Sequence, residues 1–184
     1  MDYIKTDILI IGCGVAGLSL ALKLAENRKV LVITKTQKGE TNTRYAQGGV
    51  ASVTAETDSF EKHIADTLDA GDGLCKKEVV RMVVENGPKR MEELITYGAN
   101  FDRKEDGALM LGKEGGHSDH RILHAKDATG WEIQRALLEK AAQMPKLELT
   151  EHYFAIDLIT QHHQGKYINR GTPNLNCFGV YALN

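Results

Sequence analysis

Three glycines and one short run of titratable side chains carry the chemical content of this sequence. Gly12, Gly14 and Gly17 follow the apolar run Ile8 to Ile11 and open a helix-period apolar stretch that reaches Ala25. In such an arrangement the first glycine lets a strand turn sharply. The second removes a Cβ that would block a pyrophosphate, and the third lets the helix pack closely on the strand. The helix start then aims N–H groups at phosphate oxygens. The pattern predicts a dinucleotide cradle, and a second apolar run, Val30 to Ile33, stands where the next parallel strand of a βαβ unit belongs.

The titratable run lies in the polar, glycine-containing segment from Gly112 to His124, which holds Glu114, His117, Asp119, His120, Arg121 and His124. Glu114 is either a functional carboxylate or a solvated one paired with Lys113. His117 suits a place near a ligand or an ordinary hydrogen-bonded loop, and Arg121 suits an anionic ligand group or a structural ion pair. The histidine and aspartate spacings mix loop with uncertain helix and include no thiolate, so no metal site is expected.

Elements that position these groups follow from periodicity. The stretch Thr34 to Val53 has no helical period and contains the pair Gly48-Gly49, so it reads as a long loop lying against a ligand. Asp58 to Glu61 has capping-box spacing before a helix that ends at Gly71. Two further helices are expected, Lys77 to Asn86 with Val79, Val80, Val83 and Val84 on one face, and Pro88 to Tyr97. A hairpin around Asp106-Gly107 follows, then a helix from Thr129 to Gln143 with Ile133, Ala136, Leu137 and Ala141 inward. Strands are expected at Leu147 to Thr150, Tyr153 to Ile159 and Cys177 to Leu183. The connections between these last strands, including His162-His163, face solvent.

At 184 residues, with 42% hydrophobic and 26% charged residues, the chain can build a real core and is not disordered in character. A net charge of −2 and the lack of a basic stretch give no reason to expect nucleic acid. No apolar run reaches the ~18 residues needed to span a bilayer, so no membrane partner is expected. Asp2, Lys5, Thr6 and Asp7 do not resemble a secretory leader, which makes the cytoplasm the expected location. Cys13, Cys75 and Cys177 lie far apart and read as free thiols. Cys13 reads as a small residue in a tight turn rather than a redox centre.

The second strand ends in Thr34-Lys35, not in the acidic residue that holds an NAD ribose, so Thr34, Lys35 or backbone must serve there. The long loop and inserted helices also depart from the even βαβ succession of a nicotinamide dehydrogenase. At this point Gly12 to Gly17, Tyr45 to Gly49, Glu114 to Ser118, Arg121 to His124 and Asp127 to Gly130, in this order and spacing, resemble the N-terminal portion of the L-aspartate oxidase family. That family belongs to the succinate dehydrogenase and fumarate reductase flavoprotein superfamily, and the resemblance covers the whole chain.

The resemblance implies an α/β, Rossmann-like, three-layer FAD-binding domain with inserted helices. Residues 1–184 would be its N-terminal part, incomplete relative to the family, with substrate-capping and C-terminal helical domains beyond Asn184. It implies FAD-dependent oxidation of L-aspartate to iminoaspartate, oxygen or fumarate as electron acceptor, and a link to quinolinate synthase in NAD biosynthesis. Cofactor contacts carried over are Gly12, Cys13, Gly14, Val15, Ala16, Gly17, Lys35 by the adenosine ribose, and Asn42, Thr43, Arg44, Tyr45, Ala46, Gln47, Gly48 and Gly49 along the flavin and pyrophosphate. Phe154 and Ala155, on the third strand, would meet the adenine or else simply pack in the core. Asn42 stands where relatives carry the histidine that attaches FAD, so FAD should be held noncovalently. Glu114 is the expected catalytic residue, holding or deprotonating the substrate ammonium. A non-catalytic FAD-binding fragment and a soluble fumarate reductase are the alternatives.

Overall fold

The computed structural model describes residues 3–184; Asp2 lies outside them. In chain order these residues form β1 (Ile8–Ile11), α1 (Val15–Leu24), β2 (Val30–Ile33), β3 (Val50–Ala51), α2 (Phe60–Ala70), α3 (Lys77–Thr96), β4 (Leu111–Gly112), β5 (Ile122–Leu123), α4 (Thr129–Ala142), β6 (Leu147–Thr150), β7 (Phe154–Thr160) and β8 (Cys177–Leu183). They divide into two compact units, residues 3–41 with Leu138–Asn184, and Asn42–Leu137. No described helix is long and apolar enough to cross a membrane.

In the first unit β1, β2 and β6 form a parallel sheet in the order β1-β2-β6, with Val30 opposite both Ile8 and Leu147. All four residues of β2 are buried, as an uninterrupted apolar run requires of a strand flanked on both edges. Helix α1 buries Leu18, Ala21 and Leu22. The chain between β2 and β6 carries the second unit, which is the insertion expected within the α/β frame. Strands β7 and β8 form a separate antiparallel ribbon running from Phe154↔Leu183 to Thr160↔Cys177. Phe154 and Ala155 are therefore not on the third strand of the parallel sheet, which is β6. Phe154 is 56% exposed, so core packing does not account for it.

The second unit contains a small antiparallel sheet in the order β3-β5-β4 and the helix pair α2 and α3. The expected long loop thus includes one short strand, β3, which pairs with β5. Ile64, Val80 and Val84 form a core under Val53, Phe60, Leu68 and Cys75. Two expectations are corrected here. Helix α3 is continuous, with Pro88 inside it, because the buried face Val80, Val84, Met91 and Leu94 runs past the proline and outweighs one lost backbone bond. Val79 and Val83, one position off that face, are 44% and 59% exposed. The cap of α2 is Ser59, whose side chain accepts from Lys62 N, not Asp58.

Around Asp106-Gly107 the hairpin reduces to one bridge, Arg103↔Leu109, closed by Lys104 N donating to Ala108 O. In α4, Ile133, Ala136, Leu137 and Ala141 are buried as expected. Glu132, also buried, accepts from Asn100 N at 2.7 Å and pairs with Arg135, which reaches Gly98 O. Those bonds fasten the residues just after α3 to α4. Hydrogen bonding from Arg135 outweighs burial and lowers the Glu132 pKa.

Candidate cofactor and substrate-binding residues

The glycine turn of the first unit has the form its sequence predicts. Gly12 has φ +103°, a conformation that L side chains rarely adopt, and its N–H donates to Ile33 O at 2.9 Å. A Cβ on Gly17 would collide with Gly12 O, so only glycine lets α1 approach the strand end this closely. Gly14 is the helix N-cap, in extended conformation. The helix has no side-chain cap and no acidic residue in its first turn, and Val15 and Ala16 are exposed there. These are the features a phosphate-binding helix start needs. Cys13 is buried in this turn with its thiol directed at Lys38 O, 3.4 Å away.

Beyond β2, Thr34 is buried and its backbone is consumed by the sheet. Its N–H donates to Thr150 O, and its carbonyl accepts from Tyr153 N at 2.9 Å. The exposed Lys35 is therefore the better placed of the two for a ribose. The Tyr153 bond also fixes the start of β7, so Phe154 and Ala155 follow directly from a residue tied to the end of β2.

In the second unit, the Asn42 to Gly49 segment is held from α4. Gly130 N donates to Ala46 O at 2.9 Å, and a Cβ on Gly130 would collide with Thr43 O. Asn42, Tyr45, Ala46, Gln47 and Gly48 are exposed. Both carboxylate oxygens of Glu114 lie 3.6 Å from where a Gly48 Cβ would stand, so Glu114 and this segment meet. Lys113 does not pair with Glu114; its Nζ donates to Ser118 O at 3.1 Å.

Arg121 is wholly buried and is a structural ion-pair centre. Nε and Nη2 donate to the two oxygens of Asp58 at 2.7 Å each. Nη1 donates to Asp66 Oδ2, and weaker contacts reach Ser118 Oγ and His117 Nδ1 at 3.4 and 3.3 Å. Arginine has no acceptor, so His117 Nδ1 accepts and a neutral His117 carries its proton on Nε2. Burial pushes Asp58 up, but the Arg121 and Ser59 hydrogen bonds and the Arg121 charge overcome it and lower the pKa. Asp66 behaves alike: burial raises it, while Ser118 and Arg121 hold it at about 2. His63, 7% exposed and 5.7 Å from the His117 ring, is pushed down by burial and then by the Arg121 charge.

Of the remaining histidines, His124 Nδ1 meets Asp102 Oδ2 at 2.9 Å, and His120 N donates to Asp119 Oδ1. His163, on a short 3-10 turn, contacts Asp157 and the Tyr181 ring. Asp66, His63 and Asp102 carry much of this network, and the sequence alone did not single them out; Ser118 stood there only as the end of the Glu114 to Ser118 motif. Asp58 carried a signal, but one that read as a cap.

Residues 7–184 match the family model of the FAD binding domain. An L-aspartate oxidase of Arabidopsis thaliana, named as chloroplastic, is 50% identical over 178 residues, 97% of this chain and 26% of that protein. The L-aspartate oxidase of Pseudomonas aeruginosa is 43% identical over 190 residues, 100% of this chain and 34% of that protein. Among solved structures, the quinol fumarate reductase of E. coli superposes with a TM-score of 0.87 at 30% identity, covering 100% of this chain and 30% of that one. The chain spans 26% to 34% of the length of these relatives.

Proposed function

The chain belongs to the FAD binding domain family, whose cofactor its glycine turn fits, and from that membership we propose that the protein oxidises L-aspartate to iminoaspartate. The observation that carries this reading is Glu114, an exposed carboxylate against Gly48, in a chain 43% to 50% identical to proteins named L-aspartate oxidase. FAD, when bound, supplies the acceptor for the two electrons that leave the amino acid. Everything else falls to side chains and backbone.

Gly12, Cys13, Gly14, Val15, Ala16 and Gly17 take the pyrophosphate, and Lys35 takes the adenosine ribose. Phe154 and Ala155 take the adenine, consistent with the exposure of Phe154. Asn42, Thr43, Arg44, Tyr45, Ala46, Gln47, Gly48 and Gly49 also contact FAD. Asn42 offers an amide and no imidazole, so FAD is held without a covalent bond. Glu114 holds the substrate ammonium through a charge-assisted hydrogen bond and accepts a proton as the amine becomes an imine. A dicarboxylic acid without the ammonium forms no such bond with this carboxylate, which favours the amine-bearing substrate.

The two electrons and two protons end on oxygen, as peroxide, or on fumarate, as succinate. Iminoaspartate is hydrolytically fragile and needs a consuming enzyme; quinolinate synthase, leading to NAD, is the proposed one. We place the protein in the cytoplasm, a reading supported by three free cysteines. Plant relatives are named as chloroplastic, so cell fractionation decides the compartment.

The test is peroxide formation by the full-length FAD-loaded protein with L-aspartate under air. Stoichiometric peroxide supports the reading. The alternative, a soluble fumarate reductase, is favoured by the match to the E. coli enzyme and requires fumarate reduction with no aspartate oxidation.

A further inference from the structure

We infer that Asp66, on α2, is a positioning residue for Glu114, fixing the loop that presents this carboxylate and so the preference for an amine-bearing substrate. The inference rests on the reading that Glu114 meets the substrate ammonium.

The loop has little else to hold it. Gly115 and Gly116 follow Glu114, Gly116 at φ +82°, and at neither would a Cβ meet another atom within 4 Å. Packing therefore does not fix the two glycines. Inside the turn, His117 N donates to Glu114 O at 3.2 Å and the exposed Lys113 reaches Ser118 O at 3.1 Å. After the glycines, His117 makes a long contact with Arg121 Nη1 at 3.3 Å and lies 5.7 Å from the His63 ring, and Ser118 then makes the short bonds: its N–H and Oγ both reach Asp66 Oδ2 at 2.8 Å, across 52 residues of sequence. The same oxygen accepts from Arg121 Nη1. One carboxylate oxygen thus gathers three donors, two from the residue that ends the turn and one from the buried base of the loop.

The two lysine ties, Lys113 to Ser118 O and Lys62 to Asp119 at 3.2 Å, both come from exposed residues, the Lys62 side chain being 50% exposed, and such contacts hold little. Asp58 alone already gives Arg121 a two-bond partner. Removing the Asp66 charge therefore leaves the buried pair standing and loosens chiefly the Glu114 turn.

The experiment measures kcat/KM for L-aspartate oxidation and for fumarate reduction by a reduced dye, in the full-length FAD-loaded protein and in Asp66→Asn, Glu114→Gln and the double variant. The readout is the ratio of the two activities. Asp66→Asn should lower that ratio about tenfold, mainly through a higher KM for aspartate, in line with the cost of misplacing a group by a fraction of an ångström. The double variant should be no less selective than Glu114→Gln, because Asp66 acts through Glu114. Equal losses in both reactions, or a double variant whose selectivity losses add, overturn the inference. If Glu114→Gln leaves the ratio unchanged, the Glu114 reading fails and takes this one with it. If it lowers the ratio while Asp66→Asn does not, only the present inference fails. Should Asp66→Asn not fold, Ser118→Ala removes one of the three donors at an exposed residue and should shift the ratio in the same direction; an unchanged ratio is contrary.

Discussion

Arg121 and Asp58 face one another as a closed pair, Nε and Nη2 each 2.7 Å from a separate carboxylate oxygen, with neither side chain exposed to solvent. A buried pair broken from one side leaves an uncompensated charge. Arg121→Met should therefore destabilise the protein by about 3–5 kcal/mol. Arg121→Lys should recover only part of this, because an ammonium cannot fill the two-bond geometry. Denaturant unfolding midpoints of the full-length protein check both; a loss under about 1 kcal/mol contradicts the assignment.

Asp66 should make part of the stability acid-sensitive. Its folded pKa, about 2, lies below the ordinary 3.8. Its contribution is therefore fully present above 3.8 and lost as the pH falls through 3.8 toward 2. Asp66→Asn should be less stable than the parent at neutral pH, with the difference shrinking across that window. A constant difference in acid titrations followed by circular dichroism would show that the carboxylate is not held by its neighbours.

Two glycines should be irreplaceable for cofactor binding. A methyl at Gly17 meets Gly12 O, and one at Gly130 meets Thr43 O, so either must push apart segments that contact FAD in our reading. Strain of ~1–3 kcal/mol in such sites corresponds to roughly tenfold or greater weakening of FAD. Flavin fluorescence titration of Gly17→Ala and Gly130→Ala gives the values directly, and unchanged affinity would remove these segments from the cofactor site.

FAD should also leave the protein intact on acid precipitation. With Asn42 where an attaching histidine would be, all of the flavin belongs in the supernatant. Flavin retained in the pellet would point to a covalent link elsewhere.

Much of the first unit was legible because its signals are local. An apolar run, three glycines and a second apolar run determine β1, α1 and β2 with almost no help from the rest of the chain. The second unit was less legible where distant residues decide. Nothing local distinguishes Val79 from Val80; only the face that continues through Met91 and Leu94 does, and that face also carries α3 past Pro88. Asp58 looked like a cap until Arg121 claimed both its oxygens. Asp66, on the polar side of α2, has no sequence signal at all, since its partner Ser118 is 52 residues away. The ribbon of β7 and β8 was legible as strands, but its separation from the parallel sheet was not, because alternation does not say which strand is the neighbour.

The most direct test of the account is an anaerobic titration of the full-length FAD-loaded protein with L-aspartate, followed in the visible flavin band. One equivalent of L-aspartate should bleach the band, fumarate should restore it, and Glu114→Gln should slow the first step far more than the second. A band that L-aspartate leaves untouched, in a protein whose dye-reduced form still reduces fumarate, would contradict the assignment of aspartate as substrate.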